Sequence, residues 1–335
     1  MSAILVGSKV EAANGAMVGQ SLVFRHALHL IRRAARWDAT VLLQGETGTG
    51  KELAAHAIHY ESERRAAPFI PLNCGGVPDT LIESELFGHA RGAFTDARAA
   101  RSGLIMEAEG GTLFLDEVDS LSPKAQVTLL RFLQDGLYRP LGSAQTSRGN
   151  VRIIAATNTD LAELCERSTF RRDLYYRLCL LCIELPPLRN RGADVYLLTD
   201  YFLDRFCAMY HAPRRRVSAD MHDWLGRYAW PGNVRELENL LHREFLVGES
   251  RYVEMPAPSH LSAASATNPS AVLQGFSAAK AEAMRSFEKS YLTRAIAEAE
   301  GNVSAAARRS GKERRSFGKL LKKHGIDPAT FVSAK

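Results

Sequence analysis

The feature that most constrains this chain is the run Gly45-Glu46-Thr47-Gly48-Thr49-Gly50-Lys51. It follows a short apolar stretch, Val41-Leu42-Leu43, and precedes residues 53–60, which have helical character. Glycines between a strand and a helix let backbone N–H groups turn inward around a phosphate. The helix start adds the positive end of its dipole, and a lysine at the end of the turn reaches the outer phosphates. The general pattern continues with Ser or Thr, whose hydroxyl binds Mg²⁺; here position 52 is Glu. A Gly/Thr-rich turn without a ligand is the alternative reading.

A second apolar stretch, Leu113-Phe114-Leu115, ends in Asp116-Glu117, and residues 151–156 (VRIIAA) form a third strand candidate. Residues 125–134 carry apolar side chains at helical spacing. Short continuous apolar strands separated by amphipathic helices predict an α/β layer with a largely parallel sheet. A strand ending in two acids is weak alone. Beside a phosphate loop it gains meaning: Asp116 is expected to hold Mg²⁺ and Glu117 to polarise an attacking water. From 193 to 247 the pattern is helical throughout and predicts a small helical subdomain.

Composition sets the rest of the organisation. The 335 residues are 46% hydrophobic and 24% charged, an ordinary globular balance that excludes wholesale disorder. No stretch approaches the length of a membrane helix, and the start has no signal-peptide pattern. Five cysteines make a disulfide framework unexpected, so a reducing cytoplasm is the expected location. Residues 255–277 contain no Asp, Glu, Lys or Arg and read as an Ala/Ser/Pro-rich linker. Beyond it, residues 278–335 carry 13 basic and 6 acidic residues, so the tail accounts for the net +6 and the body is near neutral. A basic tail on a neutral body suggests a polyanion partner for the tail alone; a solvated basic helix surface is the alternative.

The ordered set GETGTGKE, SELFGHARGAFTDA, GTLFLDE, AATN, FRRDLYYRL, LPPLRNR and WPGNVRELEN resembles the AAA+ domain of bacterial enhancer-binding proteins, the NtrC-like sigma-54-dependent activators. The likeness covers about residues 18–253, and a Fis-type match covers the tail. In that family Glu at position 52 is usual. The resemblance implies an AAA+ P-loop NTPase, a parallel sheet between helices, with a helical lid and an all-α helix-turn-helix domain. The expected boundaries are a short extension over 1–16, the α/β part over 17–188, the lid over 189–254, the linker over 255–277 and the DNA-binding domain over 278–335.

The same resemblance implies roles. Residues Gly45 to Glu52 would bind ATP with Mg²⁺, Asn73 would be a switch holding Glu117, and Asn158 a sensor of the γ-phosphate. Arg171 and Arg177 would enter the neighbouring subunit's site as arginine fingers, which requires a head-to-tail ring. The family implies a hexamer, sometimes another ring size, of one chain or mixed with a related subunit. Arg235 would be the lid sensor; an ion pair with Glu236 or Glu238 is its alternative. The loop Gly92, Ala93, Phe94, Thr95, Asp96, Ala97 would contact sigma-54 RNA polymerase, with Asp96 where the family usually has Gly. Residues 139–149 would form a second loop supporting the first.

In the tail, a long helix is expected over 277–300 and two short helices over 303–310 and 313–324. Phe317, Leu320 and Leu321 would face inward, and Arg314, Arg315 and Lys319 would face double-stranded DNA. A three-helix dimerisation module is the alternative. The motif Cys179-Leu180-Leu181-Cys182 lacks the partners of a zinc site and is expected to be buried strand packing. His56, His59 and His89 are read as helix or loop residues. The expected activity is ATP-driven transcriptional activation at a sigma-54 promoter; no receiver domain is seen, so control is expected through a partner protein, a related subunit in a mixed ring, or abundance. The alternative is a DNA-binding regulator whose AAA+ part oligomerises without remodelling the polymerase.

Overall fold

The computed structural model describes residues 8–12, 15–94, 97, 99–248, 250, 252–253, 292, 296, 299, 302–310 and 314–324. The chain divides into two units, Met1–Leu261 and Ser262–Lys335.

In the first unit, an antiparallel hairpin of β1 (Ser8–Ala12) and β2 (Gly15–Gly19) leads into α1 (Leu22–Ala35). The sheet follows: β3 (Val41–Gln44), β4 (Phe69–Asn73), β5 (Thr112–Asp116), β8 (Arg152–Thr157) and β9 (Leu181–Glu184), in the order β4-β5-β8-β3-β9 with every pair parallel. Between them run α2 (Lys51–Tyr60), α3 (Asp79–Phe87), α4 (Leu104–Glu107), α5 (Pro123–Asp135), α6 (Leu161–Glu166) and α7 (Arg172–Leu178). A short hairpin of β6 (Leu137–Tyr138) and β7 (Ser147–Arg148) leaves the layer after α5.

The three strand predictions hold, and the reason is visible in the packing. Successive side chains alternate between the two sheet faces. Leu42, Leu113, Leu115, Ile153 and Ala155 enter one core, while Val41, Leu43, Phe114, Ile154 and Ala156 enter the other. Helices cover both faces, so the central strands need apolar residues at every position. The edges differ. β4 carries Pro71 within its span, which an edge strand tolerates because one side makes no ladder bonds.

β9 is the opposite edge, and it corrects the reading of the Cys179–Cys182 motif. Cys179 ends α7 half-exposed and Cys182 is exposed, its Sγ 2.9 Å from Gln44 Oε1. β9 buries one face only: Ile183 is buried, while Cys182 and Glu184 lie on the open face. Partial loss of water around the sulfur, aided by the hydrogen bond with Cys179, still pushes the Cys182 thiol up to about 12.

The helical subdomain comprises α8 (Asp194–Met209), α9 (Ala219–Arg227) and α10 (Asn233–Val247), with a two-residue parallel bridge between β10 (Arg216–Val217) and β11 (Tyr252–Val253). Its core is Phe202, Phe206, Met221, Trp230, Leu237, Leu241 and their neighbours. Trp230 is 1% exposed and donates Nε1–H to Leu225 O at 3.0 Å, so it packs the lid as a core side chain.

In the second unit, α11 (Val303–Arg309) and α12 (Arg314–Lys323) form the two short helices. Asn302 caps α11, its Oδ1 accepting from Ser304 N and Ala305 N. Phe317 and Leu321 are buried with Ala306, Ala307, Leu292 and Ile296, while Leu320 packs half-buried against them. Arg314, Arg315 and Lys319 are exposed on α12. A methyl group added at Gly318 would meet no atom within 4 Å, so the glycine does not serve a close approach. The linker over 255–277 and most of the expected helix over 277–300 lie outside the described residues.

Candidate nucleotide site

The site lies where the α/β layer meets the helical subdomain. A cleft of about 310 Å³ is walled by the phosphate loop, the ends of β5 and β8, the β2–α1 segment, α8 and the start of α10. Gly45, Gly48 and Gly50 have φ of 154°, 80° and 101°. At Gly48 the conformation also serves a close approach, because a Cβ there would stand 2.3 Å from Gly232 O. Thr49 is buried and its hydroxyl donates to Glu46 O at 2.8 Å, which holds the turn shut. Lys51 opens α2 and donates Nζ–H to Gly45 O and Glu46 O, at 2.6 and 3.1 Å. Burial pushes its ammonium down from the usual lysine range, and Asp116 pulls it back up.

Asp116 and Glu117 are half-buried at the end of β5, in the cleft wall. Asp116 Oδ1 accepts Glu117 N–H at 3.0 Å. Glu117 has φ 54°, a sparsely populated conformation for a residue with a side chain and one that concentrates at functional sites. Its carboxylate turns toward Gly75, where a Cβ would lie 2.4 Å from Oε2 and 3.4 Å from Asn73 Oδ1. The Asn73 carboxamide oxygen accepts Gly76 N–H at 2.9 Å and caps the short helical turn after β4. Asn158 follows β8 and donates Nδ2–H to Thr47 Oγ1 at 3.3 Å. Thr157 Oγ1 donates to Asp119 at 2.6 Å, fastening the end of β8 to the turn after β5.

Arg235 lines the cleft from α10. Its two suggested carboxylate partners are engaged elsewhere: Glu236 accepts from Tyr228 Oη and Gly232 N, and Glu238 pairs with Arg205. Arg171 and Arg177 are exposed and do not line this cleft. Arg171 forms a bidentate pair with Asp173, at 3.0 and 2.6 Å, which raises the one group and lowers the other. Arg177 donates Nε–H to Leu133 O at 3.1 Å.

The apolar end of the cleft escaped the sequence reading. Met17, Phe24, Leu198 and Phe202 line it, and the Arg191 guanidinium lies 3.7 Å over the Phe24 ring. Arg191 is itself buried and paired with Asp194 at 3.1 Å. These residues come from the β2–α1 segment and α8, about 175 positions apart, so no local pattern joins them.

The loop expected to contact a partner leaves the layer after α3. His89 bridges Arg101 and Leu141, and its ring stands 5.0 Å from Phe94, edge to face. Phe94 is 37% exposed. The second loop packs against the first: Ala90 N donates to Leu141 O at 2.9 Å, and a Cβ at Gly142 would touch Ala93 Cβ at 2.8 Å. Gly92 and Ala93 are described and Ala97 is buried, whereas Thr95 and Asp96 lie outside the described residues. Among the described residues no helix is long and apolar enough to cross a membrane.

Comparison with known proteins matches this arrangement. Residues 17–184 fit the Sigma-54 interaction domain family, 189–272 the AAA+ ATPase lid domain and 283–324 the bacterial regulatory proteins of the Fis family. A Nif-specific regulatory protein of Azotobacter vinelandii is 49% identical over 233 residues, 70% of this chain and 44% of that protein. The transcriptional regulatory protein GlrR of Escherichia coli K12 is 42% identical over 318 residues, 94% of this chain and 69% of that one. Crystal structures of NtrX from Brucella abortus, one in complex with ATP, superpose with a TM-score of 0.69 at 30% identity, covering 92% of this chain and 69% of theirs. The chain spans about half the length of several of the curated relatives it matches. With an AAA+ P-loop domain, its lid and a Fis-type helix-turn-helix in this order, the chain belongs to the NtrC-like family of sigma-54-dependent regulators.

Proposed function

We propose that this chain hydrolyses ATP in the cleft and spends the energy on opening a promoter held by sigma-54 RNA polymerase. The observation that carries the reading is the convergence of the phosphate loop, Asp116, Glu117, Asn158 and Arg235 on one cleft. Backbone N–H groups of residues 45–50 and the Lys51 ammonium bind the phosphates, and the apolar wall of Met17, Phe24, Leu198 and Phe202 takes the base. Glu117 orients and deprotonates the attacking water, and Asn158 aligns it with the outer phosphate. Asn73 pairs in register with Asp116, one residue before Glu117, and is the residue assigned to control the rotation of Glu117.

Asp116 places a carboxylate in the cleft wall with the phosphate loop, and the nucleotide and water would complete a metal's coordination there. That fits Mg²⁺, which takes one or two carboxylates and otherwise phosphate and water oxygens. Asp116 supplies the hard carboxylate oxygen that would hold it. When bound, Mg²⁺ neutralises charge on the transferring phosphate.

Arg171 and Arg177 serve the neighbouring subunit's nucleotide. Their exposure outside their own cleft supports a head-to-tail ring, a hexamer by family likeness, of this chain alone or with a related subunit. Hydrolysis moves the loop around Phe94, and the loop at 139–149 braces it. The tail binds upstream double-stranded DNA through Arg314, Arg315 and Lys319. The cytoplasm is the site of action. The boundaries proposed for the parts are those expected from the sequence.

The test is enzymatic. Lys51→Ala should abolish ATP binding, while Glu117→Gln should bind ATP and hydrolyse it at no more than about 1% of the wild-type rate. Wild-type turnover by the Glu117→Gln protein would remove Glu117 from the chemistry. ATP turnover without open-complex formation on a sigma-54 promoter in vitro would instead favour a regulator that assembles but does not remodel.

A further inference from the structure

Three stretches of chain meet on one side chain outside the residues assigned above. Asn233 opens α10, is 0% exposed and has φ 53°. Its Oδ1 accepts Leu188 N–H at 2.8 Å, from the segment that joins the sheet to the helical subdomain. Its Nδ2 donates to Thr47 O at 3.0 Å and to Glu46 Oε2 at 3.1 Å, both in the phosphate loop. The carboxamide thus uses its acceptor and both donor directions at once. Immediately after it, Val234 N and Arg235 N both donate to Gly48 O, at 3.0 and 3.3 Å. The loop carbonyls of residues 47 and 48 therefore face the lid.

The Glu46 carboxylate is shared between Asn233 and a bidentate pair with Arg189, which holds it below the usual carboxylate range. Asn233 is two residues from Arg235, on the same first turn. Any tilt of α10 that carries Arg235 away from the cleft must break the bonds to Thr47 and Gly48. Conversely, a change in the phosphate loop moves the carbonyls on which the helix start rests.

We infer that Asn233 is the positioning residue for Arg235, fixing the lid helix to the phosphate loop so that phosphate binding and lid angle form one equilibrium. This rests on the ATP-binding reading of the cleft. An isosteric carboxylate reverses the pattern: in Asn233→Asp, oxygens face Thr47 O and the Glu46 carboxylate where an NH₂ group stood. Glu46→Gln in the same chain restores a donor between the two side chains.

The experiment compares wild type, Asn233→Asp, Glu46→Gln and the double variant in the whole 335-residue chain, by two measurements. Amide hydrogen exchange at Val234 and Arg235, without nucleotide, should be at least about tenfold faster in Asn233→Asp, because the helix start is released from Gly48 O. The double variant should regain protection to within about threefold of Glu46→Gln alone. ATP titration should show an affinity loss of about tenfold in Asn233→Asp with the same rescue, and a rise in KM larger than the fall in kcat. Unchanged exchange in Asn233→Asp, or a double variant no better than Asn233→Asp, overturns the assignment, since a residue that only fills space would show no charge-specific rescue. The exchange arm uses no nucleotide, so its result is separable from a failure of the wild type to bind ATP, which would instead count against the cleft.

Discussion

Removing the Asp194 carboxylate tests how the cleft is held together. Asp194 and Arg191 are buried, with side chains 3% and 2% exposed. The carboxylate accepts four hydrogen bonds: Gln20 N at 2.7 Å, Ser21 N at 3.0 Å, Ser21 Oγ at 2.8 Å and Arg191 Nε at 3.1 Å. It thereby ties the β2–α1 turn to the start of α8 across the apolar end of the cleft. Gly19 shows how close this packing is, since a Cβ there would stand 2.6 Å from Arg191 Nη2 and 2.7 Å from Asp194 Oδ2. In Asp194→Ala the guanidinium stays charged and buried without its partner. Breaking one side of a buried pair costs about 3–5 kcal/mol. For a body of this size, about 2–4 °C of melting temperature is lost per kcal/mol, so the expected fall is about 6–20 °C. Urea unfolding followed by circular dichroism gives the free energy directly. The paired replacement Arg191→Met with Asp194→Leu removes both charges and keeps apolar volume, so it should be less destabilised than Asp194→Ala alone. A loss below about 1 kcal/mol in Asp194→Ala, or a double variant as unstable as the single one, would refute the claim that the isolated charge is what costs stability.

Two further outcomes follow from other parts of the body. Gly48→Ala places a Cβ 2.3 Å from Gly232 O at φ 80°, so nucleotide affinity should fall by at least about tenfold; titration with a fluorescent ATP analogue checks this, and unchanged affinity would mean the loop can shift away from the lid. His56 is buried, its Nδ1 has no hydrogen-bond partner, and burial lowers its pKa below 6.5 against the opposing pull of Glu52; His59 is shifted the same way by burial and by His56. The native state therefore resists protons that the unfolded chain accepts, so stability is retained above the unfolded value and declines as pH falls below it. In His56→Phe, where the ring can keep its tilted contact with Phe69, the slope of stability below about pH 6.5 should flatten; an unchanged slope in urea titrations would place the titrating group elsewhere.

The phosphate loop shows why part of this site is legible along the chain. Its glycines must be consecutive in space to wrap a phosphate, and a tight turn makes neighbours in space neighbours in sequence. The strands around it carry apolar residues without a break because helices cover both faces, so Val41 to Gln44 and Thr112 to Asp116 announce themselves. Cys182 shows the converse. The CLLC run reads as buried until the strand order puts β9 at the sheet edge, and the order depends on crossovers that no local pattern encodes.

Asn233 and the Arg191–Asp194 pair mark the boundary between the two kinds of knowledge. The sequence alone determined that the chain has a phosphate loop, an acid pair at a strand end, a helical body and a basic helix pair, because each is written in adjacent residues with a fixed period. Only the tertiary structure decided that Asn233 touches Thr47 and that Asp194 holds Ser21, contacts spanning 186 and 173 positions. Hydrogen-bond partners at that separation are chosen by how layers pack, and packing is a property of the whole fold.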